Sequence, residues 1–228
     1  MRNDSKLLLV LDAMGVIYPV KDDVADLLIP YVARHGGAPS TVVEEHYRAA
    51  SLGNITEDEF WRKIGLSPSC EDDYLSEFML SPGVLETLDM TARMGLRVAV
   101  LTNDVPRWSR KLRERFRLTE HIQTWVVSGE ERCRKPDRGI YDSLIRKLGV
   151  TTNHTVLFVD DREKNLDTAR RLGWQTVLFN PETDGSSGIH ENIRGFHALT
   201  ETISAYDRER GSSARESPRS PLRPLADC

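Results

Sequence analysis

Five short apolar runs punctuate the chain: Lys6–Leu11, Arg97–Leu101, Thr124–Val127, Thr155–Val159 and Thr176–Phe179. They are rich in Val, Leu and Phe and lack strict alternation of apolar and polar positions, which is the pattern of parallel strands covered on both faces. Between them, apolar residues recur at helical spacing over 83–94, 105–117, 138–148 and 163–172. Gly95, Gly149 and Gly173 each follow such a segment, where helix stops belong. Strands alternating with helices predict an α/β fold, a doubly wound (Rossmann-like) parallel sheet.

Residues 20–80 break this alternation and hold no strand pattern. Two capping-box spacings, Thr41 with Glu44 and Thr56 with Glu59, each predict the start of a helix. The stretch "TEDEFWRKIGL" places Phe60, Ile64 and Leu66 toward one side. The region reads as a small helical cap subdomain inserted after strand one, with residues 1–19 and 81–206 forming the core domain. From Asp207 onward, "DRERGSSARESPRSPLRPLADC" has Ser, Pro and Arg without periodicity, the composition of a disordered tail over 207–228.

With 228 residues, one large domain or a core with a small insertion is expected. Hydrophobic residues at 39% and charged residues at 29% fit a soluble globular protein. A net charge of −4 gives no electrostatic case for nucleic acid or an anionic membrane. Cys70, Cys133 and Cys228 are far apart and form no CxxC, which argues against a disulfide scaffold or zinc site and for a reducing cytoplasm. Asp12 interrupts the N-terminal apolar stretch before it could serve as a signal core or a membrane span. The six histidines show no metal-like spacing. The chain fits either a monomer or a homodimer.

Ligands of an open parallel sheet bind outside the carboxyl ends of its strands. Strand one ends in Asp12, strand two in Thr102-Asn103-Asp104 and strand four in Asp160-Asp161, while "SGEERCRKPD" delivers Lys135. A carboxylate can attack phosphorus if a cation cancels the repulsion between the two anions. Asp12 with Asp160 and Asp161 offers hard oxygen ligands for Mg²⁺. Thr102, its backbone neighbours including Asn103, and Lys135 can hold phosphoryl oxygens, and Gly15 allows close backbone approach. Singly, each element also reads as a helix or turn cap, with Val105-Pro106 suiting a first helical turn. Together, in this order, they read as a site.

The same order resembles the haloacid dehalogenase-like (HAD) hydrolase superfamily. The matching segments are "LLLVLDAMGVIY", "VAVLTN", "RKPDRGIY" and "LFVDDREKNLDTARRLGWQTVLF", and the resemblance covers residues 6–180. The Asp-Asp-x-x-x-Asn form, with "ITEDEFW" in the insertion, is similar to the branch of sugar-phosphate phosphatases and the phosphatase domain of soluble epoxide hydrolases. The resemblance implies Asp12 as nucleophile, Thr102 and Lys135 as catalytic phosphoryl-binding residues, and Gly15 and Asn103 as substrate contacts. It implies Mg²⁺ on Asp12, the Met14 carbonyl and Asp161, with Asp160 and Asn165 around it, and a cap closing over a small phosphorylated substrate.

Met14 departs from the family pattern, which usually has Asp there as general acid and base. A thioether donates no proton, and such a group is worth about 10²–10⁴ in rate. Substrates with stable leaving groups, such as acyl phosphates and phosphonates, suffer least. Three classes are therefore open: a Mg²⁺-dependent phosphoryl-transfer or phosphonate-type hydrolase, a metal-free haloacid dehalogenase, and a non-catalytic binding module. The carboxylate pair disfavours the second, since it places negative charge beside a departing halide. Lys21, Lys63 and the arginines of 20–80 are candidate cap contacts, with Lys63 a candidate Schiff-base lysine or else a solvated helix residue. Phe60 and Trp61 read as cap core.

Overall fold

The computed structural model describes residues 7–182 and 188–213. Lys6 and Cys228 lie outside them. Strand β1 (Leu7–Leu11) is buried at every position and continues into a loop that leads to a π-helical turn, Val24–Leu28, and α1 (Ile29–Arg34). Then come α2 (Ser40–Ala50), α3 (Glu57–Lys63), α4 (Glu71–Ser76) and α5 (Val84–Arg93). The rest alternates: β2 (Arg97–Thr102), α6 (Pro106–Arg115), β3 (Thr124–Val127), the short α7 (Ser128–Glu131), α8 (Arg138–Leu148), β4 (Thr155–Asp160), α9 (Glu163–Arg171), β5 (Gln175–Phe179), β6 (Glu191–Ile193) and α10 (Phe196–Ser213).

The six strands form one parallel sheet in the order β3-β2-β1-β4-β5-β6. The chain therefore starts in the middle and winds outward twice, and the strand order reverses at β1. Because side chains alternate across a strand, Leu7, Leu9 and Leu11 join a core that includes Val98, Val100, Leu157 and Val159. Leu8 and Val10 face the other way, into a core with Phe158 and with Ile140, Tyr141 and Leu166 from α8 and α9. Covering both faces is what makes the strands read as continuous apolar runs.

The helical insertion after β1 docks on α6. Trp108 of α6 meets Phe60 at 5.3 Å and Trp61 at 5.6 Å between ring centroids, so both residues are core, as expected. Around this cluster Arg107 pairs with Asp58 and Glu71, both at 2.7 Å, and Lys111 reaches Glu71 and Asp72 at 2.8 and 2.6 Å. Glu71 also accepts from the indole nitrogens of Trp61 and Trp108. The two arginine and lysine partners outweigh the cost of burying its carboxylate and hold it below its usual range.

Three expectations are corrected. The capping box at Thr56 and Glu59 is present, but the one at Thr41 and Glu44 is not. Pro39 occupies that N-cap, extended at φ −60° and ψ 156°, and the helix begins at Ser40, so Thr41 already lies inside it. A sixth strand, β6, joins the sheet edge. Helix α10 runs through Ser213, past Asp207, and residues 214–228 lie outside the described ones. Among the described residues no helix is long and apolar enough to cross a membrane.

Candidate active site

The carboxyl ends of three adjacent strands converge. Asp12 follows β1, and its backbone N–H still bonds Val159 O of β4 at 2.9 Å, so the nucleophile candidate is pinned to the sheet. Its Oδ1 accepts from Ala13 N at 2.6 Å and faces Lys135 Nζ at 2.7 Å. Lys135 is held at both ends of its backbone by Asn103: its N–H donates to Asn103 Oδ1 at 2.7 Å, and Asn103 Nδ2 donates to its carbonyl at 3.0 Å. The ammonium, 3% exposed as a residue, also donates to Asp160 Oδ2 at 2.7 Å. Asp160 is engaged throughout, since Asn165 Nδ2 bonds both its oxygens at 2.9 and 3.0 Å and Arg162 N–H bonds Oδ1 at 2.8 Å.

Asp161 differs. Its Oδ1 is buried with no hydrogen-bond partner. Gly15, at φ +75°, backs onto it, and a Cβ there would fall 2.5 Å from the Asp161 carboxyl. Gly15 thus serves the approach of the loop after β1 to Asp161, and it does not line the cavity described below. The Thr102 hydroxyl, at the last position of β2, is likewise buried and unpartnered. Buried polar atoms left without partners are rare and mark places where a ligand is missing or strain is stored.

Charge gives the same answer. Ligand oxygens of Asp12, Asp160 and Asp161 lie within 4.8 Å of one another, the only cluster of this kind among the described residues. Against these three carboxylates stand the Lys135 ammonium, paired with Asp12 and Asp160, and the Arg162 guanidinium beyond ion-pair distance. Burial pushes Asp12 well above the carboxylate range, and Asp160 and Asp161 add to this against the pull of Lys135. Burial and then Asp160 push Asp161 up to about 6. Burial works to lower Lys135, but the two carboxylates outweigh it and hold it above its usual value. A hard divalent cation fits this donor set: all-oxygen ligands, excess negative charge and a buried Asp161 oxygen without a partner.

A cavity of about 460 Å³ opens from Asp12, Met14 and Asn103 to the insertion, where Asp23, Tyr47 and Arg48 line it. An adjoining cavity of about 620 Å³ carries Lys135, Arg134, Arg162 and Lys164. Of the candidate cap contacts, Arg48 lines both. Lys63 is exposed on α3 and away from them, and Lys21 instead pairs with Glu182 at 3.1 Å. Among the described residues no insertion lysine lines either cavity.

Asp23 was not anticipated. It is buried, accepts from the Tyr47 hydroxyl at 3.0 Å, and burial pushes it up to about 6 from 3.8. The unfolded chain gives up this proton first as pH rises. Its contribution to stability is therefore full below pH 3.8 and is lost as pH rises toward 6, a cost of about 3 kcal/mol at most above that. Asp23→Asn keeps an acceptor for Tyr47 and removes the charge. Thermal melts should show the variant more stable than wild type at pH 8 and nearly equal to it at pH 4. A variant less stable at pH 8 would show that the carboxylate is held by partners that outweigh its burial.

A family model described as hydrolase, haloacid dehalogenase-like hydrolase, matches residues 7–173. Ribulose-1,5-bisphosphate 5-phosphatase of Halopiger xanaduensis is 28% identical over 50% of this chain and 48% of its own length, so the chain spans about half of that relative. The fold matches a HAD phosphatase from Thermococcus onnurineus with a TM-score of 0.65 at 18% identity, over 86% of this chain and 97% of the other. It also matches a HAD family enzyme from Bacteroides thetaiotaomicron, solved with magnesium and inorganic phosphate, with a TM-score of 0.64 at 21% identity over 78% and 96%.

Proposed function

The chain belongs to the haloacid dehalogenase-like hydrolase family, and from that premise we propose that it is a Mg²⁺-dependent phosphoryl-transfer hydrolase of small phosphorylated metabolites, with Asp12 as covalent nucleophile. One observation carries this reading: three carboxylates cluster, only Asp12 and Asp160 are paired with the Lys135 ammonium, and a buried oxygen of the third, Asp161, has no hydrogen-bond partner. Such an all-oxygen donor set fits a hard divalent cation. Asp12, the Met14 carbonyl and Asp161 would hold Mg²⁺, with Asp160 fixed behind them by Lys135 and Asn165. Bound there, Mg²⁺ would offset the charge between carboxylate and phosphoryl group. Thr102 and Lys135 bind the phosphoryl oxygens, Asn103 fixes Lys135, and Gly15 brings the loop after β1 onto Asp161. The insertion at 20–80 serves as the cap on a core of 1–19 and 81–206.

Two alternatives lose ground. A haloacid dehalogenase would expel halide beside an excess of carboxylates, and a Schiff-base phosphonate hydrolase needs a cap lysine where none of the described residues supplies one. Because Met14 offers no proton, the loop after β1 on its own serves good leaving groups, and an acyl phosphate is the substrate that tests Asp12 and the cation without needing a proton donor.

Titration calorimetry tests the cation. Wild type should bind Mg²⁺, and Asp161→Ala should bind it at least about tenfold more weakly, since even outer-shell changes cost 10–100-fold. Equal affinities would sink the assignment. Wild type should also release phosphate from acetyl phosphate only with Mg²⁺. Binding of Mg²⁺ and phosphate without turnover of any phosphate compound would make the protein a binding module.

A further inference from the structure

Asp23 stands at the N-cap of the first turn of the insertion, where a carboxylate normally accepts a helix N–H. It makes no such bond. Its side chain is held by Tyr47 of α2 instead, and both residues line the same cavity as Asp12 and Met14. No lysine, arginine or histidine among the described residues forms an ion pair with it. A carboxyl buried with only neutral donors, the Tyr47 hydroxyl and its own backbone N–H, is costly unless it carries a proton part of the time.

We propose that Asp23, oriented by Tyr47, is the proton donor and acceptor of the hydrolysis, supplied by the insertion in place of the side chain that Met14 lacks. The proposal rests on the hydrolase reading above. In the first step an Asp12 oxygen bonds phosphorus, the bond from phosphorus to the leaving oxygen breaks, and that oxygen takes the proton of the Asp23 carboxyl. In the second step a water oxygen bonds the phosphorus of the aspartyl phosphate and Asp23 takes its proton. The Asp12–phosphorus bond then breaks and phosphate leaves.

The charged surroundings agree with both roles. Burial raises Asp23 and Asp22 adds to this, while the Tyr47 bond, its own backbone N–H and Arg162 oppose it. Asp104, beyond β2, and Tyr74 of α4 feel its charge, and Arg48, Glu44 and Glu45 share the cavity. The resulting value of about 6 lets the group donate and accept near neutrality.

The experiment uses the full chain with Mg²⁺, acetyl phosphate and an alkyl phosphate, and traps phosphoenzyme by acid quench. Asp23→Asn should form aspartyl phosphate from acetyl phosphate, which needs no proton, and then hydrolyse it slowly, so that a burst near one equivalent accumulates. From the alkyl phosphate it should form almost none, with turnover down about 10²–10⁴-fold. In wild type, kcat/KM for the alkyl phosphate should fall as pH rises past about 6, and for acetyl phosphate it should not. Tyr47→Phe removes a bond that favours the carboxylate, so the alkaline limb should move to higher pH, a change that mere loosening of the insertion would not produce. Alkyl-phosphate turnover by Asp23→Asn within about tenfold of wild type overturns the proposal. So does loss of phosphoenzyme formation from both substrates alike. Absence of acetyl phosphate turnover in wild type is a separate result and removes the hydrolase reading itself.

Discussion

Lys135→Met is expected to cost about 3–5 kcal/mol of folding stability, as breaking a buried ion pair from one side does. The methionine fills nearly the same space but leaves two carboxylates facing each other. Lys135 Nζ lies 2.7 Å from Asp12 Oδ1 and 2.7 Å from Asp160 Oδ2, and neither acid has a second cation within ion-pair distance among the described residues. The Phe158 ring, 5.6 Å from the ammonium, has no replacement charge to offer. Urea unfolding measures the loss directly. A second substitution separates charge from packing: Asp160→Asn removes one of the stranded charges and keeps an acceptor for Arg162 N–H. In the Lys135→Met background it should restore about 1–3 kcal/mol, the range of coupling between contacting groups. A loss under about 1 kcal/mol in the single variant, or no recovery in the double, would mean that other groups neutralise the cluster.

That lysine illustrates what was legible in the chain. Its neighbourhood could be read because a parallel sheet sends the end of every strand to the same edge, so residues far apart in sequence meet by topology alone. Asp12, Asn103, Lys135, Asp160 and Asn165 are brought together in this way. The strand ends themselves were placed one residue short at Thr102 and Asp160. These residues are polar and fall outside an apolar run, yet the ladder continues through them, Thr102 opposite Val127 and Asp160 opposite Leu178.

Other features left no trace of the expected kind. Strand β6 is Glu-Asn-Ile, too short and too polar to register as a strand. Helix α10 runs into "DRERGSS", whose composition favours no ordered element, although Phe196, Leu199 and Ile203 bury its beginning. The spacing of Thr41 and Glu44 matched a capping box, but Pro39 fixed the chain extended two residues earlier and placed Thr41 inside the helix. Asp23 was hidden by an ordinary role. An aspartate just before "VADLL" reads as a helix cap, and only the packing of α2 against that turn shows its side chain bonded to Tyr47 instead.

Asp12→Asn should abolish turnover, by on the order of 10⁴-fold or more, as loss of a nucleophile does in enzymes whose catalytic groups act as a unit. The amide nitrogen that replaces Oδ2 has no charge to bring to phosphorus, and an amide cannot form the acyl phosphate on which the two-step route depends. The fold should survive. The amide oxygen can take the Oδ1 position, accepting from Ala13 N–H and from Lys135, which bind Oδ1 at 2.6 and 2.7 Å. Removing one of three crowded carboxylates also relieves the repulsion that raises Asp12. Thermal unfolding should therefore match or exceed wild type, which separates a lost reaction from a lost structure. Mg²⁺ affinity should weaken but persist through Asp161. Acid-quenched phosphoenzyme from acetyl phosphate should be present in wild type and absent in the variant. If the variant released phosphate within about tenfold of the wild-type rate, water would be the attacking group, and Asp12 would serve only to complete the cation site.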